Sequence, residues 1–180
     1  MFGSQAPIWA FLNSCGGAAD PRCSALSTSV FEVYPVLAMI ALGWTIPDSR
    51  STGRLPKYNP ERRKTFTIAD WRHVCQNTAM CFLEREVTNI SEWIDTASRK
   101  SPSKHDQDCL DACLCLLVGF HVAEGKNCLV VGDFQTGYIV APHGAGGVEL
   151  CAELHARCTK TGREPSKWLR VLAFQASSKC

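Results

Sequence analysis

Apolar and polar positions alternate along the chain in a way that separates short elements from long polar connections. The run Val30-Phe31-Glu32-Val33-Tyr34, within Thr28 to Tyr34, predicts a strand. Alternation puts Val30, Glu32 and Tyr34 on one face of it. Pro35 cannot donate to a ladder and ends the strand. Val36 to Trp44 follows as a short apolar helix. From 45 to 65, Pro47, Gly53, Pro56 and Pro60 punctuate a polar stretch, which predicts a long loop. A loop of that length in a compact chain usually serves function.

Further on, Trp71, Val74, Cys75, Thr78, Cys81 and Phe82 recur at helical spacing and predict a helix over Ile68 to Val87. A second helix starts at Asn89 or Ser91 and carries Ile90, Trp93, Ile94 and Ala97. Arg99 to His105 is a polar, basic break. Asp108 then opens a long apolar helix that runs to about Glu124 and stops at Gly125. Cys128–Val131 and Tyr138–Val140 flank a Gly-rich turn and predict a hairpin. Val148 to Arg157 predicts a further helix, and Trp168 to Phe174 another. Residues 7–14 predict a short N-terminal helix ahead of a Gly/Ala/Pro loop.

Composition narrows the class without naming a ligand. The 180 residues are 46% apolar and 20% charged, which suits one globular domain with a core, taken as residues 1–180. Net charge is +2, from 19 basic and 17 acidic residues, so overall charge makes no case for an anionic partner. The N-terminal patch Ile8–Leu12 lacks the basic flank of a secretory signal. No run reaches the ~18 apolar residues that a membrane span needs. Eleven cysteines, with no Cys-x-x-Cys spacing, fit free thiols in a reducing compartment, hence a cytoplasmic chain with no membrane association.

The candidate chemistry sits in three places. Asp108 and Asp111 lie three residues apart on one helix face, with Cβ atoms roughly 5–6 Å apart, and such a pair can share a hard divalent cation. Carboxylates in a first helical turn are also favoured by the helix dipole alone. Placement argues further for Asp111, because Asp111, Cys115, Val118 and Val122 form one stripe that points it toward protein. A buried carboxylate needs a metal or a basic partner. Glu32, in a strand, belongs either to a wet edge or to a crevice at a strand end. Lys57, Arg62, Arg63 and Lys64 form either a solvated loop face or a clamp on substrate phosphate. His105 fits a solvated loop residue better than a general base.

Together these residues resemble a bacterial domain family of unknown function thought to be an RNase H-like, RuvC-type nuclease. The resemblance rests on Val30-Phe31-Glu32-Val33-Tyr34-Pro35, Leu55-Pro56-Lys57-Tyr58, Asp108-x-x-Asp111-Ala112 and Gly137-Tyr138-Ile139-Val140-x-Pro142, in order, over residues 28–142. It implies an α/β, RNase H-like fold with a mixed central sheet, here helix-rich and truncated at the N-terminus, with 143–180 as a C-terminal helical extension. It also implies a two-metal centre with Glu32, Asp108 and Asp111 as catalytic ligands of Mg²⁺ or Mn²⁺ ~3.5–4 Å apart. Lys57, Arg62 and Arg63 would contact substrate phosphates. The family's first catalytic Asp lies on the first strand, whereas the sole acid before Glu32 is Asp20. The function expected is therefore metal-dependent phosphodiester hydrolysis, weakened by that loss. The alternative is a non-catalytic binding protein on a degenerate fold. Nucleic acid is the expected partner, and missing first strands would leave sheet edges open to a second copy or to a lost N-terminal segment.

Overall fold

The computed structural model describes residues 10, 11, 14, 31–50, 53–133 and 137–173. The elements are α1 (Pro35–Ala41), α2 (Ile68–Leu83), α3 (Thr88–Ser98), α4 (Lys104–Ala123), β1 (Asn127–Asp133), β2 (Gly137–Pro142), α5 (Gly147–Lys160), α6 (Pro165–Trp168) and β3 (Leu169–Ala173). The architecture is mixed α/β and helix-rich, built on a three-stranded sheet in the order β2-β1-β3. Both pairings are antiparallel, with Val130 opposite Val140 on one side and opposite Arg170 on the other.

Strand alternation divides the sheet into two apolar faces. Cys128 and Val130 pack with Val140, Val118 of α4 and Ala38 of α1. Leu129 packs with Ala141, Leu150 of α5 and Ala41 of α1. A third cluster joins α2, α3 and α4 through Trp71, Val74, Phe82, Ile94, Leu110 and Leu114, and takes in Met39, Trp44 and Tyr58. The buried indole of Trp71 donates to the Ala97 carbonyl at 3.2 Å, so its polar end is satisfied inside that core. Among the described residues, no helix is long and apolar enough to cross a membrane.

Several elements differ from those the sequence predicts. Among the described residues of the Thr28–Tyr34 strand, only Glu32 pairs, in a single parallel bridge to Ile139, with Val140 N–H donating to the Glu32 carbonyl at 2.9 Å. The alternation still holds over 31–34: Phe31 and Val33 pack on the sheet, while Glu32 and Tyr34 are exposed. Pro35 stands in the first turn of α1, where its fixed φ suits a helix start, so the ladder goes no further. Helix α2 ends at Leu83 rather than Val87, because Glu86 turns the chain with φ of 59°.

Helix α4 starts at Lys104, not Asp108. Ser103 and Asp106 form a reciprocal capping box, which makes Asp106 the first-turn acid and moves Asp108 into the second turn. The expected helix over 168–174 is instead strand β3. Val171 and Leu172 supply β-forming positions, and β1 offers its second edge as partner. The segment after 143 is thus more than a helical extension, since it completes the sheet. The predicted helix at 7–14 falls largely outside the described residues, apart from helical positions at 10, 11 and 14.

The N-terminal turn of α5 lies backbone to backbone against the end of α1, with Gly146 N–H donating to the Ala41 carbonyl at 3.1 Å. A Cβ on Gly146 would stand 2.2 Å from the Ile40 carbonyl oxygen. Gly146→Ala should therefore cost roughly 1–3 kcal/mol through overpacking. Gly119, inside α4, has no atom within 4 Å of an added Cβ. Gly119→Ala should gain about 0.5–1 kcal/mol from helix propensity. Urea unfolding of the two variants should show opposite shifts of midpoint. All eight described cysteines are free thiols, and burial pushes Cys75 and Cys128 up to about 12. Native alkylation should spare these two and label them only after unfolding.

Candidate functional site

The loop between α1 and α2 is shaped by one buried carboxylate. Thr67 caps α2, its hydroxyl accepting from Asp70 N–H at 3.1 Å, and this sets Asp70 in the first turn facing back toward the loop. Asp70 then accepts two bonds from the Arg54 guanidinium, at 2.5 and 3.0 Å, and one from Lys57 N–H at 2.6 Å. Thr67 N–H donates to the Lys57 carbonyl at 3.0 Å, and Ile46 and Arg54 form an antiparallel bridge behind it. The forked, charge-assisted bonds from Arg54 are the larger cause, and the Lys57 amide a further one, of a carboxyl held down at about 2.

With Arg54 and Lys57 fixed, Tyr58 is carried inward to α4. Its hydroxyl donates to Asp111 Oδ1 at 2.7 Å. One helical turn away, Gln107 Nε2 donates to Asp111 Oδ2 at 3.2 Å. Asp111 is half-buried, and burial pushes its carboxyl above the usual range, with Asp108's charge adding to the rise. The bonds from Tyr58 and Gln107 and the charge of Lys104 oppose that rise. Tyr58 in turn is held protonated, chiefly by burial and then by the charge of Asp111. Among the described residues, Gln107 Oε1 is buried without a hydrogen-bond partner. Leaving a buried acceptor unmade costs about 1–3 kcal/mol, a deficit accepted here while the other end of the amide holds Asp111.

Tyr58, Gln107 and Asp111 stand at one side of an open cleft of 840 Å³ between the 45–65 loop, the start of α1 and the N-terminal half of α4. Tyr34 lines it as well, with an aromatic side chain 52% exposed. Four cations face the same space: Arg50, Arg54, Lys57 and Arg62. Arg50 is neutralised by Asp48 and Arg54 by Asp70. Lys57 and Arg62 have no acidic partner among the described residues, so the cleft keeps two uncommitted positive charges.

The sequence-derived site is brought together only in part. Asp111, Lys57 and Arg62 share the cleft; Glu32, Arg63 and Asp108 are not among its lining residues. Asp108 is exposed and paired with Lys104 one turn before it. Glu32 is exposed and contributes its backbone to the sheet. Among the described residues, no three His, Cys, Asp or Glu side chains lie close enough to hold a metal ion. The arrangement therefore does not assemble the two-metal carboxylate cluster that the RNase H-like resemblance implies. The partner of Asp111 is also unlike the one expected: neutral donors, Tyr58 and Gln107, offset its burial in place of a metal or a base. His105 lies exposed on α4 with Cys109 Sγ 3.7 Å from its ring, away from the cleft.

Tyr58, Gln107, Asp70 and Arg54 shape the cleft and its surroundings without standing among the candidate site residues of the sequence. Three of them carried a signal. Gln107 precedes Asp111 by four residues, the spacing at which Gln and Asp side chains bond on a helix. Thr67-x-x-Asp70 ahead of an apolar run is a helix-start signature. Tyr58 was visible as a lone aromatic in a polar loop.

The family model described as a protein of unknown function (DUF429) matches residues 6–136, and the chain belongs to that family. The match takes in the whole cleft, whereas β2, α5, α6 and β3 lie beyond it. No curated protein and no solved structure matches the chain.

Removing the Asp70 charge should loosen the loop that builds the cleft. Asp70→Asn removes the charge-assisted bonds to Arg54 and should cost about 2 kcal/mol in chemical denaturation. Because the folded carboxyl is depressed below its ordinary 3.8 to about 2, its stabilisation is complete above about pH 4 and lost as pH falls toward 2. The wild-type protein should lose stability through that window, and the Asn variant should show a flatter profile there.

Proposed function

We propose that the chain is a phosphodiester-binding protein of the RNase H-like class that holds a nucleic-acid strand in the cleft. The observation that carries this reading is a pair of cations without an acidic partner among the described residues, Lys57 and Arg62, on the same cleft as the partly buried Asp111 and the exposed ring of Tyr34. Cations supply backbone affinity through phosphate contacts, and an exposed aromatic supplies a stacking surface that tolerates any base. The tethering of Lys57 by its own backbone to Asp70 holds one phosphate contact in place before ligand arrives. Free thiols throughout the described residues suit work in the reducing cytosol.

A second reading, hydrolysis of the phosphodiester with Mg²⁺ or Mn²⁺, is favoured by one feature. Asp108 and Asp111 stand three residues apart on α4, and the charge of Asp108 adds to the rise of the Asp111 carboxyl, which a cation would oppose. Binding without cleavage is the outcome expected from the geometry. Cleavage of a labelled oligonucleotide that needs Mn²⁺ and is lost in Asp111→Asn would decide for the catalytic reading.

Binding should weaken with salt, since each neutralised phosphate releases counterions. Lys57→Ala and Arg62→Ala should each lower affinity for a single strand and reduce the slope of log K against log salt by about 0.7. Fluorescence anisotropy across a salt series measures both. A slope unchanged by either substitution would remove the cleft from the binding surface.

A further inference from the structure

The phosphodiester reading leaves open what the inner side of the cleft recognises. The orientation of Asp111 answers it. One carboxylate oxygen accepts from Tyr58 and the other from Gln107. Each oxygen of an ionised carboxylate has two acceptor positions, so each keeps one vacant. Two donors from different elements pin the carboxylate, with Tyr58 rising from the loop and Gln107 from α4. Fixed in this way on the cleft wall, the group offers two adjacent acceptors in one plane.

That edge is complementary to a ligand carrying two adjacent N–H donors in one plane. A guanidinium would satisfy it, but the uncommitted charges on the cleft, Lys57 and Arg62, repel a cation and attract phosphate. Among phosphate-bearing strands, guanine presents the required pair on its pairing edge, as N1–H and N2–H. Adenine and cytosine alternate donor with acceptor there, and thymine or uracil flanks one N–H with two carbonyls. The edge is free only in an unpaired base, and the exposed ring of Tyr34 on the same cleft gives such a base a face to stack against.

We infer that the cleft selects an unpaired guanine in a single strand, with Asp111 accepting from N1–H and N2–H and Tyr58 and Gln107 acting as positioning residues. This rests on the phosphodiester reading above. The unmade bond at Gln107 Oε1 agrees with it, because the amide is committed to orienting the carboxylate at the expense of its own oxygen. The raised carboxyl of Asp111 agrees as well, since two N–H donors would restore the hydrogen bonding that burial withholds.

The test is anisotropy of the full chain with labelled short oligothymidines that carry one central dG, dI, dA or dC. EDTA is present, so that no divalent cation competes for Asp111. The dG strand should bind about tenfold more tightly than the dA and dC strands. The dI strand, which lacks the N2 amine, should lose most of that gain, and this comparison needs no change to the protein. In Asp111→Asn, with folding checked by circular dichroism, the dG strand should fall to the level of dA. Equal affinity for all four strands would overturn the guanine assignment and leave the phosphodiester reading standing. A dG preference that survives Asp111→Asn would also overturn it. Absence of salt-dependent binding to any strand would overturn the phosphodiester reading itself.

Discussion

The cleft depends on the carboxylate of Asp70, which lies outside it. A loop with Pro, Gly and polar residues has no apolar face with which to fix its own path. Asp70 supplies the missing constraint by taking three hydrogen bonds from Arg54 and Lys57 at the end of a helix already capped by Thr67. What the loop presents to the cleft follows from that anchor. Lys57 is fixed by its backbone, and Tyr58, next in sequence, is delivered to the core and to Asp111. A part-buried ion pair of this kind adds little net stability over an apolar substitute, but it specifies one conformation where the loop alone would have many.

Much of the fold was legible because periodicity is local. The helices α2, α3 and α5 and the hairpin stood in the sequence within a few residues of their observed limits. The errors came where a local signal competed with a distant partner. Leu169–Ala173 is too short to reveal its period, and only the open edge of β1 made it a strand. The segment around Glu32 has strand composition, yet among its described residues it forms a single bridge before Pro35 turns the chain into α1. Helix α4 begins four residues before Asp108 because Ser103 and Asp106 form its cap, a signal weaker in the sequence than the Asp108–Asp111 pair.

The site was half legible for a related reason. Asp111 stood out as an acid in an apolar stripe, and Lys57 and Arg62 as part of a basic cluster. What the sequence could not show was which of three acids would meet the loop. Lys104 drew Asp108 into solvent, and Glu32 faces away from the sheet that its own neighbours Phe31 and Val33 cover. Nor could it show that a phenol and an amide would offset the burial of Asp111. Neutral donors leave the carboxylate charged and oriented without cancelling it, which a salt bridge would not have done.

The position of β1 at the centre of the sheet has a consequence for the order of folding. Its pairing with β2 closes only a short connection in the sequence, an event of microseconds. Its pairing with β3 must wait until the chain has run out through α5 and α6 and returned, a longer loop with a larger entropic cost. A nascent chain that has emitted β2 but not β3 therefore carries β1 with one edge satisfied and the other bare. During synthesis, that bare edge is open to capture by another strand until its own last one arrives.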